Sequence, residues 1–106
     1  MNKVILLGTV DKEPEVRYLD KGVCVANLTL MTVERGIELP DGTTTSDHNE
    51  WHRLVFWRSL ATIVETQVHQ GTRLMVEGKL HSRSYTDKSG VSRRITEVWA
   101  DTLEIM

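Results

Sequence analysis

The sequence contains one cysteine, Cys24, among its 106 residues. A single cysteine excludes an internal disulfide and a thiolate metal cluster. It lies in the apolar run 23–26, where a buried and unreactive thiol is expected. No cysteine or carboxylate stands at ligand spacing from the four histidines, which are His48, His52, His69 and His81. We therefore expect no metal site and no other cofactor.

Long apolar runs are also missing from the sequence. No stretch approaches the roughly 18 consecutive apolar residues of a membrane-spanning helix. The apolar residues 4–7 are too few to form the core of a signal peptide. These absences predict a cytoplasmic protein with no membrane partner.

Neither sign of charge dominates, because 13 lysines and arginines face 15 acidic residues and the formal net charge is −2. This balance excludes a uniformly basic nucleic-acid binder, so any anion-binding surface requires an uneven distribution of charge. The segment 79–94 is uneven, since its only acid is Asp87. Its five basic residues are Lys79, Arg83, Lys88, Arg93 and Arg94.

The acidic residues are scattered over predicted turns and strand ends. Hydrolysis would need paired carboxylates, or a nucleophile beside a general base. The sequence contains no such group of residues. We therefore expect no enzymatic activity and no catalytic residue.

Alternating apolar residues and frequent β-branched residues predict five strands, and a sixth piece over 15–19 is brief. The five are 2–10, 23–33, 50–57, 73–85 and 93–105. Helical spacing predicts one short amphipathic helix after Ser59, which we expect to be its N-cap, with Gly71 as its stop. Residues 34–49 predict a long, mobile loop. One domain over 1–106 is expected: all-β, an OB-fold, with a five-stranded Greek-key barrel and its helix between strands 3 and 4.

The stretch 50–57 places aromatic and basic side chains at alternate positions of a strand. Alternation assigns Leu54 and Phe56 to the core face, with His52 beside them. The opposite face then carries Trp51, Arg53 and Trp57. Two indoles flanking a cation are typical of a surface on which unpaired bases stack while phosphates are neutralised. The alternative is that both tryptophans are core residues of a sheet buried on both sides, which the cation between them disfavours.

The fourth predicted strand has a polar, mostly basic face that ends in an aromatic residue. Its members are Arg73, Met75, Glu77, Lys79, His81, Arg83 and Tyr85. We expect the Tyr85 ring to contact a bound ligand rather than to pack at the rim of the barrel, because Arg83 and His81 share its face. In the last strand Trp99 alternates with Ile95 and Leu103, which favours a place in the core or at a subunit interface.

Six short segments occur in the order and spacing found in bacterial single-stranded-DNA-binding proteins. They are the residues 2–8, 14–18, 25–27, 50–53, 76–78 and 96–98. The chain resembles that family over practically its whole length, and it is most similar to members from Bacteroidetes-type bacteria or from a mobile element they carry. The resemblance implies a bacterial, nucleoid-associated protein that binds single-stranded DNA without sequence preference in replication, recombination and repair. It also implies a homotetramer, built as a dimer of dimers.

The resemblance implies roles for individual residues. Trp51, Trp57 and Tyr85 fill three of the family's base-stacking positions, and Ile37 stands near a fourth position that is usually aromatic. His52 follows the first stacking residue, where the family has a subunit contact. The expected phosphate contacts are Arg53, Arg83, His81, Lys79, Arg58 and Arg73. The basic residues that the family carries before Gly71 and at the end of the fourth strand are thinned, which predicts weaker binding and a shallower salt dependence.

Family members continue past the barrel into a disordered linker and an acidic tip that recruits replication and repair proteins. Because this sequence ends at Met106, recruitment by that tip is not carried over. The thinned basic face leaves a second hypothesis open. In it, the chain is an OB-fold interaction module of the primosomal type, which holds replication proteins and binds DNA weakly.

Overall fold

The computed structural model describes residues 1–106 and contains six strands and one α-helix. The strands are β1 (Val4–Val10), β2 (Glu15–Tyr18), β3 (Cys24–Glu34), β4 (His48–Trp57), β5 (Arg73–Thr86) and β6 (Ser92–Ile105), and the helix is α1 (Ser59–Gln67). The five long strands are those predicted, and the brief extended piece is β2. No helix has the length and apolar character needed to cross a bilayer.

Five of the strands form a closed ring. β1 pairs with β5 from Val4 to Thr9, and its last two residues, Thr9 and Val10, also pair with β3. The order β1-β5-β6-β4-β3 therefore returns to β1, with β2 added outside β3. β4 and β6 run parallel where Leu54 faces Val98, and the other pairs are antiparallel. The predicted all-β OB-fold is confirmed.

The inward side chains of the ring form the core. Leu54 and Phe56 of β4 are fully buried, as the alternation predicted, and so are Leu30 and Leu74 on neighbouring strands. The helix α1 packs on this core through its buried Ala61 and Val64. Its place over one end of the ring follows from the apolar stripe on a single face of the helix.

Both ends of the helix differ from the prediction. Arg58 is the N-cap residue and makes no side-chain capping bond, while Ser59 is already helical. The helix ends at Gln67, four residues before Gly71. Gly71 instead adopts a positive φ of 90° and donates its N–H to the carbonyl oxygen of Val10 at 2.9 Å. It therefore ties the loop after α1 to the end of β1.

A β-bulge in β6 reverses the alternation of that strand. Glu77 pairs with Thr102 and Gly78 with Ala100, so Asp101 has no partner on β5. Before the bulge the even residues point inward, and after it Leu103 does, packing against the core. Trp99 therefore lies on the outer face, so the predicted place in the core is wrong, and a place at a subunit interface stays a prediction.

The segment between β3 and β4 contains a small hairpin of its own. Glu38 and Thr44 form a β-bridge, and the N–H of Thr45 donates to the carbonyl oxygen of Ile37 at 2.8 Å. The N–H of Gly36 donates to Asp47 Oδ1 at 2.8 Å. A Cβ at Gly36 would lie 1.9 Å from the carbonyl oxygen of Thr45, so only glycine fits there. The predicted loop is thus present, with hydrogen-bonded structure inside it.

Candidate nucleic-acid interface

One outer face of the sheet collects most of the predicted site residues, and we name it the aromatic face. It consists of the outward side chains of β4 (Trp51, Arg53, Val55, Trp57), β6 (Arg93, Ile95, Glu97, Trp99) and β5 (Lys79, His81, Arg83, Tyr85). Strand pairing brings these rows together, because Val55 faces Trp99, His81 faces Glu97 and Tyr85 faces Arg93.

The three predicted stacking aromatics differ in exposure. Trp51 is 55% exposed and Tyr85 is 42% exposed, so both offer ring surface to a ligand. Trp57 is half-buried because its ring lies 5.4 Å from that of Trp99, at an interplanar angle of 54°. β4 and β6 are parallel, and β5 is antiparallel to β6. Trp51 and Tyr85 therefore lie towards the same end of the sheet, with Trp57 towards the other.

The cations on this face fall into two groups. Arg53 is exposed and makes no ion pair, so its guanidinium is free to meet a phosphate. Lys79 lies 3.8 Å from Asp101, and Arg83 donates its Nε to Glu97 Oε1 at 3.0 Å. His81 is half-buried and stacks on Trp99, with ring centroids 3.7 Å apart and an interplanar angle of 18°.

Two predicted phosphate contacts lie away from these cations. Arg58 stands at the junction of β4 and α1, beside Tyr18 and Leu19. Arg73 begins β5, twelve residues before Tyr85 in the same strand, which corresponds to a separation of up to about 40 Å. The structure therefore groups Arg53, Arg83, Lys79 and His81 with the aromatics and leaves Arg73 at the far end.

Two further predicted residues lie outside the aromatic face. Ile37 is exposed in the hairpin between β3 and β4, where its N–H donates to Thr45 Oγ1 at 2.7 Å. His52 is half-buried on the inward side of β4, and its Nε2 lies 2.8 Å from Thr32 Oγ1. Its proposed place at a subunit contact stays a prediction.

A groove opens between Trp57 and Trp99 on the aromatic face. Its volume is about 390 Å³, and we name it the Glu97 groove after the buried carboxylate in its wall. Its lining is Arg17, Leu19, Val25, Asn27, Val55, Trp57, His81, Arg83, Glu97 and Trp99. Glu97 Oε1 accepts hydrogen bonds from Arg83 Nε at 3.0 Å and from Trp99 Nε1 at 3.2 Å. The groove thus combines flat apolar walls with a fixed negative charge.

Sequence reasoning missed Glu97 and Trp99 as parts of this site. Glu97 is only 3% exposed and is the one charged residue among the buried ones. The alternation of Ile95, Glu97 and Trp99 along β6 was the pattern that indicated that these three side chains share one face. The bulge at Asp101 concealed it, because Leu103 beyond the bulge has the same parity as Trp99 and points inward.

Hydrogen bonds shift the pKa values of two side chains near this surface, Asp87 and Tyr18. Asp87, in the turn between β5 and β6, accepts from Arg93 Nε at 2.7 Å and from the N–H groups of Val91 and Ser89, which lowers its pKa. Tyr18 on β2 donates its hydroxyl to Glu65 of α1 at 2.6 Å, and this bond is the largest cause that raises the pKa of Tyr18 to about 12.

The comparison with known proteins decides the family. A family profile described as the single-strand binding protein family matches residues 1–106. The chain belongs to this family. A single-stranded DNA-binding protein of Bacteroides thetaiotaomicron is 45% identical over 106 residues, which are all of this chain and 66% of that protein. The chain thus spans just under two thirds of the length of this relative.

A solved structure of another single-strand binding protein supports the same assignment. It is described as a Plasmodium falciparum SSB complex with ssDNA, and it covers 100% of this chain and 95% of its own, with a TM-score of 0.89 and 26% identity. The resemblance and the OB-fold inferred from the sequence are therefore confirmed. The family match does not favour the primosomal-type interaction module.

Proposed function

We propose that this chain binds single-stranded DNA without sequence preference and protects it during replication, recombination and repair. The observation that carries the proposal is the aromatic face. Trp51 and Tyr85 expose large rings there, and the unpaired guanidinium of Arg53 lies two residues from Trp51 on the same strand. Rings left uncovered beside a free cation suit a ligand that is both flat and anionic.

The mechanism consists of binding alone, with no bond made or broken. Bases stack on Trp51, on the accessible part of Trp57 and on Tyr85, at roughly 1–3 kcal/mol per base. Ile37 adds apolar contact at the edge of the face. Phosphates are neutralised by Arg53 first, because Arg83 and Lys79 already have acidic partners. Arg58 lines a depression together with Trp57, whereas Arg73 would be reached only by DNA that extends beyond this face.

We propose further that the chain works in the cytoplasm as a homotetramer, a dimer of dimers. Residues 4–8 of β1 pair only with β5, so their other edge is open to a second copy. Ile5 is 63% exposed, and Leu7 and Met75 beside it are exposed as well. Apolar side chains next to an open strand edge are typical of a protein interface. His52 is our candidate for a further subunit contact.

Titration with a deoxythymidine oligomer tests this function. Because Trp51 and Trp57 would contact bases, we expect the oligomer to quench tryptophan fluorescence at low salt, with affinity that falls as salt rises. A double-stranded oligomer of the same length serves as the control, since its bases are not free to stack. Absence of quenching and of complex formation at low salt would contradict the proposal.

A further inference from the structure

Glu97 is a buried carboxylate in the outward row of β6, within the aromatic face. Its side chain is 2% exposed, and its Oε2 has no hydrogen-bond partner. Burying a carboxylate and leaving one of its oxygens unpaired costs free energy, and buried ion pairs often add nothing to stability. A residue that is costly to the fold and lies within a binding surface points to a function at that surface.

The other oxygen of this carboxylate orients a cation. Glu97 Oε1 accepts from Arg83 Nε at 3.0 Å, and the Arg83 side chain is 49% exposed. The two terminal nitrogens, Nη1 and Nη2, make no hydrogen bond within the chain. A guanidinium is a rigid planar fork, so a bond at Nε fixes its plane and leaves the terminal nitrogens for a second anion. Arg83 lies between His81 and Tyr85 in the outward row of β5, so these nitrogens serve the aromatic face.

The same oxygen also holds an indole ring. Trp99 Nε1 donates to Glu97 Oε1 at 3.2 Å. His81 stacks on the Trp99 ring, and the Trp57 ring lies tilted against it. Trp57 is one of the rings on which we propose that bases stack, so the ring that supports it is held through Glu97. One carboxylate oxygen thus connects a cation of the aromatic face with the support of a stacking ring.

We infer that Glu97 is a positioning residue for single-stranded DNA. It holds Arg83 so that the terminal nitrogens meet a phosphate, and it steadies Trp99 beside Trp57. The carboxylate itself touches no DNA, because it is buried. Its effect is the same for every base, since the phosphate that Arg83 meets carries no sequence information. The inference rests on the proposed function and adds to it a residue that acts through its neighbours.

The alternative is that Glu97 only cancels the charge of Arg83, which would weaken the attraction of that side chain to phosphate. Glu97→Met separates the two accounts, because methionine has a similar length but no charge and no strong acceptor.

For Glu97→Met we expect the affinity for a deoxythymidine oligomer to fall about fivefold, the loss of one hydrogen bond of ordinary net strength. The slope of log affinity against log salt should become shallower by about 0.7, because one phosphate contact is lost. Tighter binding with a steeper slope, or unchanged binding, would overturn the inference. Failure of the wild-type protein to bind the oligomer at low salt would instead overturn the proposed function.

Two further variants are matched controls. Glu97→Gln keeps an acceptor for Arg83 Nε, so it should recover most of the affinity that Glu97→Met loses. Asp101 lies 3.8 Å from the exposed Lys79, so Asp101→Asn removes a negative charge from a looser pair and should not weaken binding. Binding by Glu97→Gln as weak as that of Glu97→Met would contradict the inference, and so would an equal loss in Asp101→Asn.

Arg83→Lys decides the question if Glu97→Met does not fold. Arg83 is half exposed, so this substitution opens no cavity in the core. The lysine ammonium is a single point of charge without a fork, so when it pairs with Glu97 it has no second arm for a phosphate. We expect Arg83→Lys to bind the oligomer about as weakly as Arg83→Gln. Wild-type affinity in Arg83→Lys would show that charge alone suffices at this position, contrary to the inference.

Discussion

At the scale of single residues, Trp51 is the sharpest test of the aromatic face. Its ring is more than half exposed, so Trp51→Ala removes stacking surface without opening a cavity. We expect the affinity for single-stranded DNA to fall by about 1–3 kcal/mol per lost stack, with little change in the midpoint of thermal unfolding. Equilibrium binding and thermal denaturation measure the two effects.

The matched control is Tyr18→Ala. Tyr18 is 60% exposed and lies on β2, outside the aromatic face, so its removal should leave DNA affinity close to that of the wild type. If the two variants lost affinity equally, general damage to the fold would explain both losses. The assignment of stacking to Trp51 would then be wrong.

Tyr18 itself gives a prediction on pH dependence. Its hydrogen bond to Glu65 favours the protonated phenol in the folded state and raises its pKa from the ordinary 10 to about 12. A raised pKa means that this contribution to stability is complete below pH 10 and is lost as the pH rises towards 12. Titration of phenolate absorbance should detect one late tyrosine. In Glu65→Leu its pKa should return towards 10, and an unchanged late titration would contradict this account.

At the scale of elements, the contact between β5 and β6 depends on Gly78. A Cβ at this position would lie 2.2 Å from the carbonyl oxygen of Trp99, next to the bulge at Asp101. Backbone must move to admit it, so Gly78→Ala should lower the free energy of unfolding by about 1–3 kcal/mol or more. Urea denaturation measures the loss.

Gly90→Ala is the control for that substitution. Gly90 has a positive φ of 80° but nothing within 4 Å of the added Cβ, so only backbone strain opposes the change. We expect a cost of about 1–2 kcal/mol, from the left-handed backbone alone. Equal losses in both variants would mean that β6 yields easily at the bulge, contrary to the prediction.

The strands and the helix also show how much of the fold could be predicted from the sequence. Alternation found the five long strands and the inward rows, because side chains on a strand have a fixed period of two. Alternation failed at Asp101, because this extra residue changes the face to which the following residues of β6 point, and nothing in the local sequence marks the bulge. The outward position of Trp99 was therefore missed. The prediction that Ser59 is the N-cap of α1 failed for a different reason. Arg58 takes an unusual backbone conformation (φ 58°), which tertiary contacts impose, as in the bond from its N–H to the carbonyl oxygen of Cys24.

The site was predictable to a similar degree. The sequence found Trp51, Arg53 and Tyr85 because they lie on regular parts of their strands, where the face of a residue follows from its parity. It could not find the Glu97 groove, because the groove depends on the pairing of β4 with β6, and α1 and β5 separate these two strands in the sequence. Burial of Glu97 likewise follows from the rings packed around it, so its own sequence neighbours give no warning of it.

At the scale of the whole molecule, a formal charge of −2 implies that attraction to DNA is local rather than global. For single strands, the slope of log affinity against log salt is about −0.7 per neutralised phosphate. With Arg53 as the main free cation, Arg53→Gln should make the slope shallower by about 0.7 and weaken binding at low salt. Binding titrations at several salt concentrations measure both. Arg94→Gln is the control, because Arg94 lies outside the aromatic face, and a change as large there would contradict the assignment.

Assembly connects these weak local contacts to tight binding. A tetramer holds several aromatic faces on one strand, so each further contact becomes intramolecular and avidity rises without new chemistry. Ile5 lies beside the open edge of β1, and Ile5→Asp would place a charge in the proposed interface. We expect this variant to have a lower mass in solution and to bind long oligomers more weakly, while short oligomers that span one face bind as before. Val91→Asp, in the exposed turn between β5 and β6, should keep the wild-type mass. A monomeric wild-type protein, or an unchanged mass in Ile5→Asp, would show that assembly does not use this edge.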